Sequence, residues 1–461
     1  MADTFDAIII GAGQGGGPLA GALSQAGRKV ALVEKEHVGG TCVNEGCTPT
    51  KTMVASARVA HVARRAAHYG VHVGSGDVRV DMKRIRERKN EIVTMFREGS
   101  EKGVRSKENV ELLMGAAKFT GEKTVEVALN DGGTRELAAD TVVINAGQRP
   151  NIPPIEGLDG VSYLTSTSIM ELEEVPEHLL VLGGGYIGLE FAQMYRRFGS
   201  DVTIVQRSAQ LLPREDKDVA ETVADILRDD GITVLLNSEA QRVSDEGGVS
   251  LTVRGEEGEQ TLRGSHILVA TGRKSNTDTL NLEAAGVQVD KRGNIEVNGS
   301  LETNVPGVYA IGDIKGGPAF THISYDDYRI LKDNLLNDAK RTIEGRIVPY
   351  TVFMDPQLGH VGLNEKDARN AGYNIKVAKM PLSSAARAIE IDETRGLLKA
   401  VVDADTDQIL GATLLSFDGG EVVTVIQTAM LAQMPYQVLR DSPFSHPTLA
   451  ESLNNLFSSF E

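Results

Sequence analysis

The sequence predicts an α/β protein made of two βαβ units of the parallel-sheet kind, followed by a C-terminal α+β region. Three observations predict this class. A buried-strand pattern near the start runs straight into GxGxxG spacing at Gly11, Gly13 and Gly16. The same pattern recurs at Gly183, Gly185 and Gly188. From about residue 345 onward no glycine fingerprint remains, and strand-like and helix-like stretches alternate.

The first unit is DAIIIGAGQGGGPLAGALSQAGRKVALVEK. Ala7 to Ile10 reads as a buried strand, a helical run extends to Gln25, and Lys29 to Val33 reads as a second strand ending in Glu34. Gly11 permits a tight turn, Gly13 lets backbone approach a pyrophosphate, and Gly16 allows close helix packing. The helix N-terminus offers amide donors to phosphate, and Glu34 can accept from both ribose hydroxyls. A lone GxGxxG is weak. With strand, helix and carboxylate in register it is a strong Rossmann-like signature for a dinucleotide with a free ribose.

The second unit is HLLVLGGGYIGLEFAQMYRRFGSDVTIVQRS, with a strand at Leu179 to Leu182 and a helix at Ile187 to Phe198. Aligned on the glycines, Gln206 stands where Glu34 stood, and Arg207 follows it. A carboxylate repels a 2′-phosphate, whereas a guanidinium can pair with one in a bidentate way. The second unit therefore reads as favouring NADPH, with NADH possible; a solvated loop charge is the competing reading of Arg207.

Thr48 to Ala67 reads as a helix starting at Thr48 or Pro49. Asp81 to Gly99 reads as another, with Met82, Ile85, Ile92, Val93 and Phe96 on one face as core or subunit contact. Asn109 to Asn145 reads as short strands separated by Thr120-Gly121 and Asp131-Gly132-Gly133. RPNIPPIEG is a Pro-rich joint, and HILVATGR (266–273) closes the second unit. A strand ending at Gly312-Asp313 and a helix follow. Further on come strands at Lys376 to Met380 and Gly396 to Val402, and a helix at Gly419 to Leu431.

A net charge of −16 argues against a general nucleic-acid surface, so a phosphate-bearing ligand must be held by local geometry. No stretch reaches membrane-spanning length. The acidic residues before the first apolar run do not look like a secretory signal, and two cysteines in 461 residues are no disulfide scaffold. The expected location is the cytoplasm. There, a close cysteine pair is catalytic or metal-binding more often than structural. Both cysteines lie in GGTCVNEGCTPTK with four residues between them. Zinc usually takes four ligands, and no second Cys pair or His cluster completes a site. No metal site is expected.

Taken in order, GAGQGG with Glu34, GGTCVNEGCTPTK, NAG (145–147), GGGYIGLE, ATGR, YAIGD and HPTLAE resemble the two-dinucleotide-fold flavoprotein disulfide reductases. This family includes dihydrolipoamide dehydrogenase, glutathione reductase and mercuric reductase. The resemblance implies an FAD-binding domain at 1–147 and an NAD(P)H-binding domain inserted at 148–273. It further implies a central FAD-associated domain at 274–344 and a dimerisation domain at 345–461. It implies FAD on Gly11, Gly13, Gly16, Glu34, Gly147 and Asp313, the last accepting from the ribityl chain. NAD(P)H would lie on Gly183, Gly185, Tyr186, Gly188, Arg207 and Gly272, with Tyr186 covering the flavin until nicotinamide displaces it.

By the same resemblance Cys42 is the interchange thiol and Cys47 the charge-transfer thiol beside the flavin. Cys47 opens a predicted helix, where the dipole and free amides favour a thiolate. Lys51 pairs with Glu190 near flavin N5. His446 and Glu451 form the acid–base pair, reaching the disulfide of the other subunit in a homodimer. The wording CTPTK, EFAQMYRRFGS and Gln206-Arg207-Ser208 looks like the mercuric-reductase branch. That branch uses a C-terminal cysteine pair and lacks the His of HPTLAE, whereas this sequence has the His and ends NNLFSSFE. The expected activity is NAD(P)H-dependent disulfide or dithiol chemistry of the dihydrolipoamide-dehydrogenase type, on a small disulfide or a lipoyl-carrying protein. A mercuric-reductase-like metal-ion reductase is the alternative. A non-catalytic redox sensor is a third reading, disfavoured by the presence of Cys47, Lys51 and His446.

Overall fold

The computed structural model describes residues 2–74 and 78–460. It is α/β, as the glycine-punctuated strand patterns predict. Its contacts define two compact units. One holds the chain up to Thr52 with Arg86–Asn151 and Arg273–Arg346; the other holds Met53–Ile85, Ile152–Gly272 and the chain from Ile347 onward.

The first unit is built on a parallel sheet. Its strands lie in the order Val110–Gly121, Val30–Glu34, Asp3–Ile10, Thr134–Ile144 and Val308–Ala310. Thr124–Leu129 runs antiparallel between the far ends of Val110–Gly121 and Thr134–Ile144. Ile8 and Ile10 enter one apolar cluster and Ile9 another, so both faces of the strand are covered. That explains an unbroken apolar run instead of polar alternation. The helix Gly16–Gln25 lays Leu19, Ala20 and Leu23 on the same face as Ile9.

The second unit repeats the scheme with a parallel sheet ordered His266–Val269, His178–Leu182, Asp201–Val205, Thr233–Leu235. A three-stranded antiparallel sheet spans Glu239–Asp245, Val249–Gly255 and Gly258–Gly264. Beyond residue 347 a five-stranded antiparallel sheet is ordered Pro349–Val352, Gln357–Gly362, Ile409–Ser416, Leu397–Asp403, Ile375–Pro381. The helix Gly419–Leu431 buries Val423, Ile426 and Ala429 in the same cluster as Leu398, Ala400 and Leu414.

Element bounds differ from expectation in several places; the strand expected to end at Gly312-Asp313 spans only Val308–Ala310, and Gly312–Lys315 is a 3₁₀ turn. The helix expected from Thr48 to Ala67 spans Cys47–Arg65 and tightens into a 3₁₀ turn at Ala66–Tyr69. The helix expected to end at Gly99 spans Met82–Arg105. Gly99 and Gly103 have open space around them, and a glycine weakens a helix interior without ending it. Met82 and Val93 are buried, yet Phe96 is 49% exposed, so the apolar face does not enter the core along its whole length. Finally, the strands between 109 and 145 are 12, 6 and 11 residues long, not all short. A Cβ at Gly115 would stand 2.4 Å from the Ala128 carbonyl. That glycine lets one long strand leave Val30–Glu34 and join Thr124–Leu129.

Candidate active site

In the first unit, the glycine loop has no room for side chains. Gly11 has φ +104°, and a Cβ there would lie 2.3 Å from the Asn145 carbonyl oxygen. A Cβ on Gly16 would lie 2.1 Å from the Gly11 carbonyl oxygen, and one on Gly40 would lie 2.8 Å from Gly13 Cα. Bare backbone at a helix N-terminus is what a pyrophosphate requires, so the loop fits FAD. A cavity of about 430 Å³ is lined by Ala12, Gly13, Gln14, Gly17, Val38 and Gly39, among others. Glu34 is buried, and its two oxygens accept from the backbone N–H groups of Ala12 and Glu36, each at 2.9 Å. Each oxygen keeps a lone pair for a ribose hydroxyl.

Gly147 has φ +64°, and its carbonyl accepts from Asn276 at 3.1 Å. Gln148 donates to the Asp313 carbonyl at 2.9 Å. Burial pushes the Asp313 carboxyl up, opposed by Arg273 and Lys315. The turn before it is anchored from beneath by Asp327, which is fully buried. This carboxylate accepts from Gly312 N at 2.8 Å and pairs with Arg346 at 2.8 Å and Lys315 at 3.3 Å.

The cysteines belong to the same unit. Cys42 sits on the one-turn helix Gly40–Asn44, and Cys47 is the first residue of Cys47–Arg65. The two thiols are hydrogen-bonded to each other. Between them Gly46 is obligatory, since a Cβ there would lie 2.9 Å from the Thr41 carbonyl oxygen. Cys47 Sγ also meets the hydroxyl of Thr321, the first residue of the helix Thr321–Asn337, at 3.4 Å. Two helix N-termini therefore converge on one sulfur, and both favour its anion. The hydrogen bond with Cys47 and burial together push the Cys42 thiol far above the ordinary range, against smaller opposing effects of Thr321 and Lys51.

The second glycine loop repeats the first. Gly183 has φ +109° with a Cβ position 2.4 Å from the Ala270 carbonyl oxygen, and Gly188 closes on the Gly183 carbonyl oxygen at 2.1 Å. The positions around Gly185 and Gly272 are open. Gln206 is buried, accepting from Gly184 N at 3.1 Å and donating to the Gln210 carbonyl at 3.2 Å. Arg207 is exposed, and no carboxylate among the described residues holds it in an ion pair. Tyr186 opens the helix Tyr186–Phe198 and is 37% exposed. Glu190, one turn on, is buried and accepts from Phe353 N at 2.8 Å. Lys51 belongs to the first unit and Glu190 to the second.

His446 and Glu451 are brought together: Nδ1 lies 2.9 and 3.1 Å from the two carboxylate oxygens. A carboxylate only accepts, so Nδ1 donates and Nε2 is left to exchange protons. Thr448 Oγ1 accepts from Glu451 N at 3.2 Å and donates to the Ser445 carbonyl at 2.8 Å, which fixes the turn.

Residues 5–327 match the family model described as pyridine nucleotide-disulphide oxidoreductase, and residues 348–457 match that family's dimerisation domain. The chain is a pyridine nucleotide-disulphide oxidoreductase. Membership makes it a flavoprotein enzyme that works with FAD and a pyridine nucleotide. It is 40% identical over 458 residues to the probable pyridine nucleotide-disulfide oxidoreductase RclA of Escherichia coli, covering 98% of this chain and 99% of that one. It is 36% identical to a mercuric reductase of Streptomyces lividans, covering 97% and 94%. To a dihydrolipoyl dehydrogenase of Zymomonas mobilis the identity is 35%, covering 98% and 97%. Among solved structures, the Cu(II) complex of the HOCl-induced flavoprotein disulfide reductase RclA superposes with a TM-score of 0.90, at 39% identity and 99% coverage of both chains. No helix among the described residues is long and apolar enough to cross a membrane.

The sequence reading does not find Thr321 or Asp327, and takes Asn145 only as the first residue of NAG, with no role. Thr321 reaches Cys47 across 274 positions, and no local pattern announces such a meeting. Gln206 was recognisable only as a missing carboxylate. Its amide keeps the bracing hydrogen bond and gives up the charge.

Proposed function

We propose that this enzyme is an NADPH-preferring reductase of a small disulfide, acting as a cytoplasmic homodimer through Cys42 and Cys47. FAD, when bound, carries the electron pair from the nicotinamide to the Cys42–Cys47 disulfide. The observation that carries the reading is the unequal pair: Cys47 opens one helix and meets the first residue of a second at 3.4 Å, while Cys42 sits inside a one-turn helix. A stabilised thiolate suits the inner position, and the protonated neighbour needs a base before it can attack.

His446, oriented by Glu451, is that base, from the other subunit by family resemblance. It removes the Cys42 proton. The thiolate attacks the substrate disulfide, forming a mixed disulfide and expelling one thiolate, which takes the proton back from His446. Cys47 then attacks the Cys42 sulfur, expels the second thiolate and restores the internal disulfide. Dithiol oxidation on a lipoyl group is the reverse. By family resemblance Lys51 and Glu190 would supply a cation and a carboxylate for the flavin chemistry. Arg207 receives the 2′-phosphate of NADPH, and Tyr186 covers the nicotinamide position. The proposed domains are 1–147, 148–273, 274–344 and 345–461.

A second reading is metal-ion reduction at the same dithiol, favoured by the Cu(II)-bound state of the RclA structure. Turnover of NADPH with lipoamide, glutathione disulfide, Hg(II) and Cu(II), each in parallel, tests both. Consumption with a disulfide supports the first reading; consumption with a metal ion alone supports the second.

A further inference from the structure

Asn145 occupies a place in the first fold that has a counterpart in the second. It follows the strand Thr134–Ile144 and donates its N–H to the Ile10 carbonyl at 2.8 Å; Ala270 follows His266–Val269 and donates to the Leu182 carbonyl at 2.8 Å. Each carbonyl sits under the first glycine of its loop, Asn145 under Gly11 and Ala270 under Gly183. The backbones are equivalent. The side chains are not.

The Asn145 side chain is buried, so its amide must be satisfied within the protein. With the amide oriented to satisfy both ends, Oδ1 accepts from Gly16 N at 3.0 Å and Nδ2 donates to the Ile311 carbonyl at 3.1 Å. Gly16 is the first residue of the helix whose N-terminus faces the pyrophosphate position, and Ile311 precedes Gly312-Asp313. One side chain thereby ties together two backbone segments that must hold one ligand. The space is tight: the Cβ positions of Gly13, Gly16 and Gly312 lie 3.2, 3.0 and 2.9 Å from this amide. Ala270 has only a methyl group and cannot make such a tie.

The asymmetry has a physical purpose. A site ordered before its ligand arrives loses less conformational freedom on binding and releases the ligand more slowly. The first loop serves a resident group, whereas the second must release its nicotinamide every turnover. We propose that Asn145 is a positioning residue that makes the first loop a retention site for FAD, and that Ala270 keeps the second loop an exchange site. The inference rests on assigning FAD to the first loop.

The test is flavin release from purified holoenzyme, followed by the rise in flavin fluorescence after dilution. Asn145→Ala should speed release about ten-fold, the scale of one buried hydrogen-bonded group. Asn145→Asp, which keeps the acceptor for Gly16 N and loses the donor to Ile311, should also speed it. NADPH affinity should stay within two-fold in both, roughly the scatter of unrelated sites. The thermal midpoint should fall less in flavin-stripped protein than in holoenzyme, so that the gain on adding FAD shrinks. A wild-type protein without FAD would overturn the assignment of the loop. Wild type with FAD and unchanged release from both variants would overturn this inference alone, as would an equal fall in midpoint with and without FAD.

Discussion

Gln206 accepts the backbone N–H of Gly184 at 3.1 Å, the brace that Glu34 gives Ala12 at 2.9 Å in the first fold. The two side chains do the same work on their loops, but only one carries a charge. Replacing Gln206 by Glu keeps the brace and loses the donor to the Gln210 carbonyl at 3.2 Å. Preference should swing toward NADH by about 1–2 kcal/mol, less than an unhindered ribose contact would give, because a carboxylate then faces that carbonyl. Arg207→Ala should weaken NADPH and leave NADH alone. The ratio of kcat/KM for the two nucleotides measures both effects. Wild type faster with NADH would remove the NADPH reading.

The His446 imidazole, held by Glu451 through Nδ1, should matter only where a proton moves. His446→Gln should slow exchange with a disulfide by about 10²-fold or more, the scale of losing a general acid–base group. Flavin reduction by NADPH should be nearly unchanged. Hg(II) or Cu(II) reduction should tolerate the change. Stopped-flow on the two half-reactions separates them, and undiminished disulfide turnover would favour the metal-ion reading.

Cys42 owes its raised ionisation first to the hydrogen bond with Cys47, then to burial. Removing that sulfur in Cys47→Ser should bring Cys42 ionisation down. The rise of its alkylation rate with pH should then begin at lower pH than in the reduced wild type. In Thr321→Val, which loses the hydroxyl that opposes the raised ionisation, alkylation of Cys42 should shift to still higher pH. Peptide mapping after iodoacetamide distinguishes the two sulfurs. Coincident profiles for all three proteins would refute the unequal pair.

Stability should depend on a charged cluster within the second unit. Lys399 is buried, with Nζ 2.9 Å from Asp216, 3.1 Å from Asp218 and 3.0 Å from Glu365. Burial alone would lower the lysine and raise Asp218, but the pairings prevail: Lys399 is held above its ordinary range and Asp218 below. Glu365 is held below by Arg369 and, despite burial, by Lys399 as well. The carboxylates' contribution is present above their unfolded values near pH 4 and is lost as acid takes the pH through the folded ones. The lysine's contribution is complete below about pH 10.4 and is lost as pH rises through its higher folded value. Lys399→Met should cost about 3 kcal/mol or more at neutral pH, since it leaves carboxylates facing one another. That deficit should narrow below pH 4. Urea titrations at pH 7 and pH 3.5 would show it; equal deficits would refute the account.

Much of this was legible in the chain because dinucleotide folds write their needs locally. Gly11 to Glu34 and Gly183 to Gln206 each hold turn, helix and second strand within a short stretch, and a Cβ at Gly11, Gly16, Gly183 or Gly188 would strike a carbonyl oxygen. His446 and Glu451 meet within one turn. Thr321 at Cys47, Asn145 between Gly16 and Ile311, and Asp327 beneath Gly312 were not legible, because each depends on segments distant in sequence meeting in space. The end of the helix at Arg105 was missed for a different reason. The expected helix closes at Gly99, but a glycine weakens a helix interior without ending it.

The chain carries no sulfhydryl groups beyond Cys42 and Cys47. Its redox poise can therefore be read by counting. A maleimide mass shift of zero or two labels per chain reports the proportion of oxidised and reduced centres in a whole-protein spectrum, with no background to subtract. The same scarcity means that an oxidant that reaches a thiol of this chain reaches one of these two. Overoxidation of one sulfur to the sulfinic state is then a complete and irreversible loss for that subunit.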